Sequence, residues 1–115
     1  LKEHKNYFNE SEFISNATGS QLLVMSYLKA LENYHEVDEA ITLAEYALGK
    51  NPQSLCFNLI CNLIKSQKAL HNYHWCEVYR LINRVTEDKS LLVDINYESI
   101  KVIFKYTDQY IEYCK

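Results

Sequence analysis

The sequence predicts an all-helical (all-α) fold in which antiparallel helix pairs stack into an α-solenoid-like array of about five helices. Three observations support this fold class. The 115-residue chain contains only 2 Gly and 1 Pro, residues on which the frequent turns of an all-β sandwich depend. Apolar residues recur at steps of three and four, the period of one helix face. A seven-residue stretch also occurs twice, each time at the end of a predicted helix.

The first two helices are predicted over about residues 21–34 and 37–48. Ser20 is the predicted N-cap of the first, because its hydroxyl can accept a free N–H of the first turn. The apolar stripe of the first helix consists of Leu22, Val24, Met25, Leu28 and Leu31. The face of the second consists of Val37, Ala40, Ile41, Ala44, Ala47 and Leu48. Gly49 at the C′ position is expected to end that helix, with Pro52 beyond the break.

Three further helices are predicted over about residues 55–70, 75–85 and 94–115. Ser54 is expected to cap the first of them, and the turn 72–74 to end it. The apolar faces of the first two consist of Leu59, Ile60, Leu63 and Ile64, then Val78, Tyr79, Leu81, Ile82 and Val85. Apolar residues nearly encircle the last helix, which predicts burial on most sides and one side that awaits a partner.

The internal repeat is the most specific signal. Residues 29–35 (KALENYH) recur as residues 68–74 (KALHNYH), with six of seven identical and 39 positions apart. Each copy ends one helix and opens a turn into the next. A helix pair cannot bury its own apolar face, so such units stack and share a core. We therefore expect a single domain over residues 1–115, with units at about 21–52 and 55–89 and a C-terminal helix at about 94–115.

Residues 21–52 resemble a divergent tetratricopeptide-type repeat. With Pro52 set at the closing proline of that repeat, Ala40 and Ala47 fall on the two small positions of its second helix. The packing positions of its first helix then hold Val24, Tyr27, Leu28 and Leu31. The 39-residue spacing exceeds the usual 34 and points to HEAT-type repeats as the second choice. The resemblance implies a curved stack whose inner surface holds a peptide or a partner helix.

The predicted function is a protein–protein interaction scaffold within a larger complex, not an enzyme. Trp and Tyr often carry interface energy, and the candidate binding residues are Tyr34, His35, Tyr73, His74, Trp75, Tyr106 and Tyr110. The expected partner is another protein or peptide, or a second copy bound through the C-terminal helix. No phosphate loop or nucleophile motif occurs, so no catalytic residue and no cofactor are predicted. The chain does not begin with Met, so a fragment of a larger protein is expected.

Charge and hydropathy bear on the partners and the compartment. The net charge of −3, with scattered Lys and Arg, argues against nucleic acid. No run of eighteen apolar residues occurs, which argues against membrane insertion. Three of the four cysteines, which are Cys56, Cys61, Cys76 and Cys114, fall in apolar helical stretches typical of free thiols. An intracellular location, cytoplasmic or nuclear, is therefore expected.

Two alternatives from other classes stay open at this point. His71, His74 and Cys76, together with Cys56 and Cys61, are the one set of residues with a composition suited to zinc. A zinc-stabilised or catalytic helical domain is the first alternative, although a turn with surface histidines explains the same residues and no metal is predicted. The second is an RNA-binding helical repeat, against which the acidic balance argues.

Overall fold

The computed structural model describes residues 15–32 and 37–114, and these residues form an all-α fold. The five α-helices in these ranges are α1 (Gly19–Glu32), α2 (Asp38–Lys50), α3 (Leu55–His71), α4 (Trp75–Glu87) and α5 (Tyr97–Asp108). A short 3-10 helix, Ile111–Cys114, follows α5. The only sheet-like pairing in the described ranges is one bridge between Ser54 and Leu92. The predicted fold class is confirmed.

Helix α1 begins one residue before the predicted cap. Thr18 Oγ1 accepts a hydrogen bond from the backbone N–H of Gln21 at 3.1 Å, and Gln21 Oε1 accepts one from the backbone N–H of Thr18 at 2.9 Å. This reciprocal pair is a capping box, which satisfies two N–H groups at once. The prediction of Ser20 as the cap is wrong, because Ser20 already lies inside the helix.

The ends of α2 and α3 test two further predictions. Gly49 lies inside α2 with a negative φ, and the helix closes at Asn51, whose N–H donates to the carbonyls of Ala47 and Leu48. The placement of Gly49 at C′ is therefore wrong. Ser54 caps α3 as predicted, because its Oγ accepts from the N–H of Phe57 at 3.0 Å. The left-handed residue after α3 is Tyr73, with φ of 61°.

Helix α2 lies between α1 and α3, and small side chains form the contact. The buried cluster that joins the three helices consists of Ala30, Val37, Ala40, Ala44, Cys61 and Ile64. Small residues let helix axes approach closely, so the contact buries backbone as well as side chains. Surface ion pairs follow the same contacts, with Lys29 and Glu39 at 2.9 Å between α1 and α2, and Lys65 and Glu45 at 3.1 Å between α3 and α2.

The buried face of α1 matches the predicted stripe only in part. Leu22 is fully buried as predicted, and the partly buried Met25 packs against the core. The buried residues are Gly19, Leu22, Ser26 and Ala30. Three members of the predicted stripe are exposed instead, namely Val24, Leu28 and Leu31. The resemblance to a tetratricopeptide repeat placed these three residues and Tyr27 at the packing positions of the first helix. All four side chains are exposed, so the resemblance does not describe the packing of α1. Ala40 and Ala47, by contrast, are fully buried.

Helix α5 is shorter and less buried than predicted. It begins at Tyr97, where the Asn96 side chain accepts from the N–H of Ser99 at 2.8 Å, and it ends at Asp108. Only Ile103 and Thr107 are buried within it. Ile103 packs on α3 and α4 in a cluster with Leu59, Ile82 and Val85. The expectation of a helix buried on most sides and running to the end of the chain is wrong.

The molecule is elongated, with extents of 53 × 31 × 20 Å. Its radius of gyration of 15.3 Å exceeds the value of about 13 Å expected for a compact chain of this length. Among the described helices, none combines the length and the apolar character needed to cross a bilayer.

Candidate functional site

An apolar groove runs between α1, α3 and α5. It has a volume of about 540 Å³, inside the range of about 300–1,000 Å³ typical of binding clefts. Its lining residues are Leu23, Val24 and Tyr27 from α1, Ile60 and Leu63 from α3, Ile95 from the preceding loop, and Ser99, Val102 and Ile103 from α5. Among the described residues, no carboxylate, ammonium or guanidinium lines it, and the polar side-chain groups are the hydroxyls of Tyr27 and Ser99.

The rims of the groove are exposed apolar side chains. Val24 on one rim is 60% exposed and Val102 on the other is 68% exposed. The floor is α3, where Ile60 and Leu63 are partly buried. Apolar side chains held in water on two sides of a hollow favour the entry of an apolar ligand, since burying them removes that area from water.

The outer stripe of α1 borders this groove, and we define it as Val24, Tyr27, Leu28 and Leu31. All four side chains are more than half exposed. They lie opposite the buried residues Leu22, Ser26 and Ala30 because a helix advances about 100° per residue. The groove and the stripe were missed by the sequence prediction, which placed Val24, Leu28 and Leu31 in the core. The available signal was the small residues Ser26 and Ala30, which follow Leu22 at steps of four and so share its face of α1.

The loop that carries Ile95 into the groove is anchored on the N-terminus of α3. Asp94 accepts hydrogen bonds from the Ser54 hydroxyl and from the N–H of Cys56, the latter at 2.8 Å. The N–H of Leu55 donates to the carbonyl of Leu92 at 2.9 Å. A carboxylate at this position also interacts favourably with the positive end of the α3 dipole. The anchor fixes the entry of the chain into α5.

The anchor also affects the ionisation of Asp94. Burial opposes the charged form and raises the pKa of Asp94, but the hydrogen bonds from Ser54 and from the backbone of Cys56 outweigh it. The net result is a pKa below the usual value for an aspartate. The charged form of Asp94 is therefore part of the folded structure.

An aromatic cluster lies where the start of α4 meets the end of α5 and the C-terminal 3-10 helix. We define it as Tyr73, Trp75, Tyr106, Tyr110 and Tyr113. Ring centroids are 6.2 Å apart for Tyr73 and Trp75, 4.9 Å for Trp75 and Tyr113, 6.3 Å for Tyr110 and Tyr113, and 5.8 Å for Tyr106 and Tyr110. Four predicted binding residues thus form one surface, joined by the unpredicted Tyr113.

The other predicted binding residues have separate outcomes. His74 lines the hollow beside the cluster, together with Glu77 and Arg80. Tyr34 and His35 lie outside the described residues. Tyr73 is 77% exposed, whereas Tyr110 is only partly exposed. The cluster is therefore accessible mainly through Tyr73 and Tyr113.

Cys76 and Cys114 form a disulfide, while Cys56 and Cys61 are free. The interpretation of Cys76 as a free thiol is wrong, and the argument that it supplied for a cytoplasmic or nuclear location is lost with it. The zinc alternative also loses its thiolate at Cys76, because a disulfide sulfur cannot act as a thiolate ligand. Burial raises the pKa of the Cys61 thiol, so that free thiol is a core residue and not a reactive one.

Comparison of the chain with protein-family models, with curated proteins and with solved structures gave no significant match. The function of the chain is therefore inferred from the geometry of the groove and of the aromatic cluster.

Proposed function

We propose that this chain is a protein–protein interaction module whose apolar groove binds a helical segment of another protein. The observation that carries the proposal is the groove itself, a hollow of about 540 Å³ with exposed apolar rims and no charged side chain among the described residues that line it. Binding by insertion of an amphipathic helix into an apolar groove is a recurring mode of peptide recognition.

A helix suits this groove better than an extended peptide. An extended peptide brings unpaired backbone N–H and C=O groups, and each one left buried without a hydrogen bond costs free energy. In the described part of the chain, the groove lining offers only the hydroxyls of Tyr27 and Ser99 as side-chain partners. A helix satisfies its own backbone internally and presents only side chains. The ligand that matches the groove is thus a helix with an apolar stripe.

The wider architecture belongs to the same proposal. A tetratricopeptide-like or HEAT-like stack within a larger complex would present this groove on an inner surface, because α1, α3 and α5 are alternate helices of the chain.

The intracellular location, cytoplasmic or nuclear, is not part of the proposal. It would leave Cys76 and Cys114 reduced, whereas their paired state favours an oxidising compartment. RNA binding is not favoured either, because no Lys or Arg stands among the described residues that line the groove.

The test is selection from a displayed library of amphipathic helical peptides, followed by affinity measurement with two variants of this chain. Val102→Glu places a charge on a rim and should weaken selected peptides at least about tenfold, since a buried unpaired charge costs more than about 1.4 kcal/mol. Leu92→Glu, at a side chain 67% exposed and outside the groove lining, should leave affinity unchanged. Failure to select helical peptides, or equal binding to Val102→Glu, would contradict the proposal.

A further inference from the structure

The outer stripe of α1 has the residue spacing of a groove-binding helix. Val24, Tyr27, Leu28 and Leu31 occupy positions i, i+3, i+4 and i+7, which are the anchor positions of helices that insert into apolar grooves. The chain thus carries both the groove and a helical stripe that matches it. We propose that the helix bound in the groove is α1 of a second copy, in a symmetric dimer. This inference rests on the function proposed above and names its partner.

The stripe and the groove lie side by side on one surface. Val24 and Tyr27 belong to both, because they line the groove and also stand in the stripe. Leu28 and Leu31 are exposed and do not line the groove, so they form a ridge beside it. In a symmetric dimer, the ridge of each copy would pack against the hollow of the other. This reciprocity is what an isologous interface requires.

Charge favours a second copy over an oppositely charged partner. A two-fold axis brings like residues together, so charges near it repel. The charged residues of α1 are Lys29 and Glu32, and Lys29 is bonded to Glu39 of α2 at 2.9 Å. Neither belongs to the stripe or to the groove lining. Within the described residues, the stripe and the groove lining therefore offer no charge for a complementary partner to neutralise, and self-association brings no like charges together there.

The exposed side chains are also of the kind that a dimer interface buries. A stable interface covers about 800 Å² on each protomer, with an apolar centre. Exposed fractions are 60% for Val24, 52% for Tyr27, 53% for Leu28, 59% for Leu31 and 68% for Val102. Monomeric proteins rarely expose contiguous apolar patches larger than a few hundred Å². Pairing of two copies removes this patch from water in both.

The experiment is light scattering of the 115-residue chain across a dilution series from about 1 mM to about 1 µM. A dimer is expected for the unaltered chain. Leu28→Glu should raise the dimer dissociation constant at least about 30-fold, because it buries a charge in the contact. Tyr46→Glu, on α2 at a side chain 49% exposed, is the matched control and should remain dimeric. Circular dichroism of both variants should show unchanged helix content.

The outcomes separate this inference from the proposed function. A monomer at every concentration, or a dimer that Leu28→Glu leaves intact, overturns the inference. Leu28 does not line the groove, so monomeric Leu28→Glu should still bind the selected helical peptides. Loss of peptide binding in Val102→Glu without any dimer in the unaltered chain would support the groove and reject the second copy as its ligand.

Discussion

Helices α2 and α5 are nearly equal in length, with 13 and 12 residues, yet they are held in place by different means. Helix α2 buries Ala40, Leu43, Ala44 and Ala47 between two neighbouring helices. Helix α5 buries only Ile103 and Thr107, and it packs on one side of the molecule. A helix packed between two others is stabilised by burial, whereas a helix packed on one side requires additional ties because more of its surface faces water.

Two such ties flank α5. Before it, Asp94 anchors the loop to the N-terminus of α3 through Ser54 and Cys56. After it, the Cys76–Cys114 disulfide joins the C-terminal 3-10 helix to α4. One wall of the groove is therefore positioned by a carboxylate and a covalent bond more than by its own core contacts. This wall should be the part of the groove that responds most to pH and to reductant.

Breaking the disulfide should have the largest effect on this comparison. The bond spans 38 residues, and a crosslink of that separation contributes about 2–4 kcal/mol by restricting the unfolded chain. Cys114→Ser should therefore lower the free energy of unfolding by about that amount. Hydrogen exchange should quicken at the end of α5 and the start of α4, while protection of α2 stays unchanged. Trp75, the single tryptophan, should report the change by fluorescence as the ring of Tyr113 leaves it.

Thiol counting provides the control for this prediction. Alkylation in denaturant without reductant should modify Cys56 and Cys61 alone, and all four cysteines after reduction. Cys56→Ser should leave the fluorescence of Trp75 unchanged. Four alkylated thiols before reduction would show that Cys76 and Cys114 are not paired, and the tie after α5 would not exist.

Removing the Asp94 anchor should have an intermediate effect. Asp94→Ala should destabilise the protein by about 1 kcal/mol, the usual contribution of a side chain that bonds the free N–H groups at a helix start. Faster exchange is expected in the loop before α5, with no change in α2. Asp94→Asn keeps one acceptor oxygen and should cost less. Equal stability of Asp94→Ala and the unaltered chain in urea unfolding would contradict the anchor.

Acid should reproduce the loss of the anchor. The folded state lowers the pKa of Asp94, so its contribution to stability is complete above the unfolded value of about 3.9. The contribution decreases as pH falls through the lower pKa of the folded state, because the carboxylate is then protonated in both states. The unaltered chain and Asp94→Asn should therefore converge in stability as the pH falls below the lowered pKa of Asp94 in the folded state.

Replacing Gly49 should give the smallest change in stability. The sign of that change tests whether Gly49 lies inside α2. Gly49 has a negative φ inside the helix, and an added Cβ would meet no atom within 4 Å. Gly49→Ala should thus stabilise the protein by about 0.5–1 kcal/mol, because Ala loses less backbone freedom on folding. A left-handed C′ glycine would respond with destabilisation. Thermal unfolding decides between the two.

Much of the fold could be predicted because its causes are local. The scarcity of Gly and Pro and the three-to-four residue apolar period indicated five helices, and α3 and α4 begin where they were predicted. Ser54 was identified as a cap because a cap and its first turn lie within three residues of each other. Ala40 and Ala47 are buried as the resemblance implied.

The face of α1 was decided only by the tertiary structure. This helix has an apolar stripe on one side and small residues on the other, so periodicity alone could assign either side to the core. The close contact with α2 and α3 accommodates Ala30 and Ser26 but not Leu28 or Leu31. The choice depends on the space between helices, which no local pattern contains.

The groove, the aromatic cluster and the disulfide depend on the same long-range geometry. Residue type alone identified Tyr73, Trp75, Tyr106 and Tyr110 as candidates. They form one cluster only because the chain returns to α4 after α5 and places Tyr113 against Trp75 and Tyr110. The pairing of Cys76 with Cys114 requires the same return across 38 residues. Local hydrogen bonds and apolar period therefore determine the helices, whereas the packing of distant segments determines the surfaces on which function is proposed.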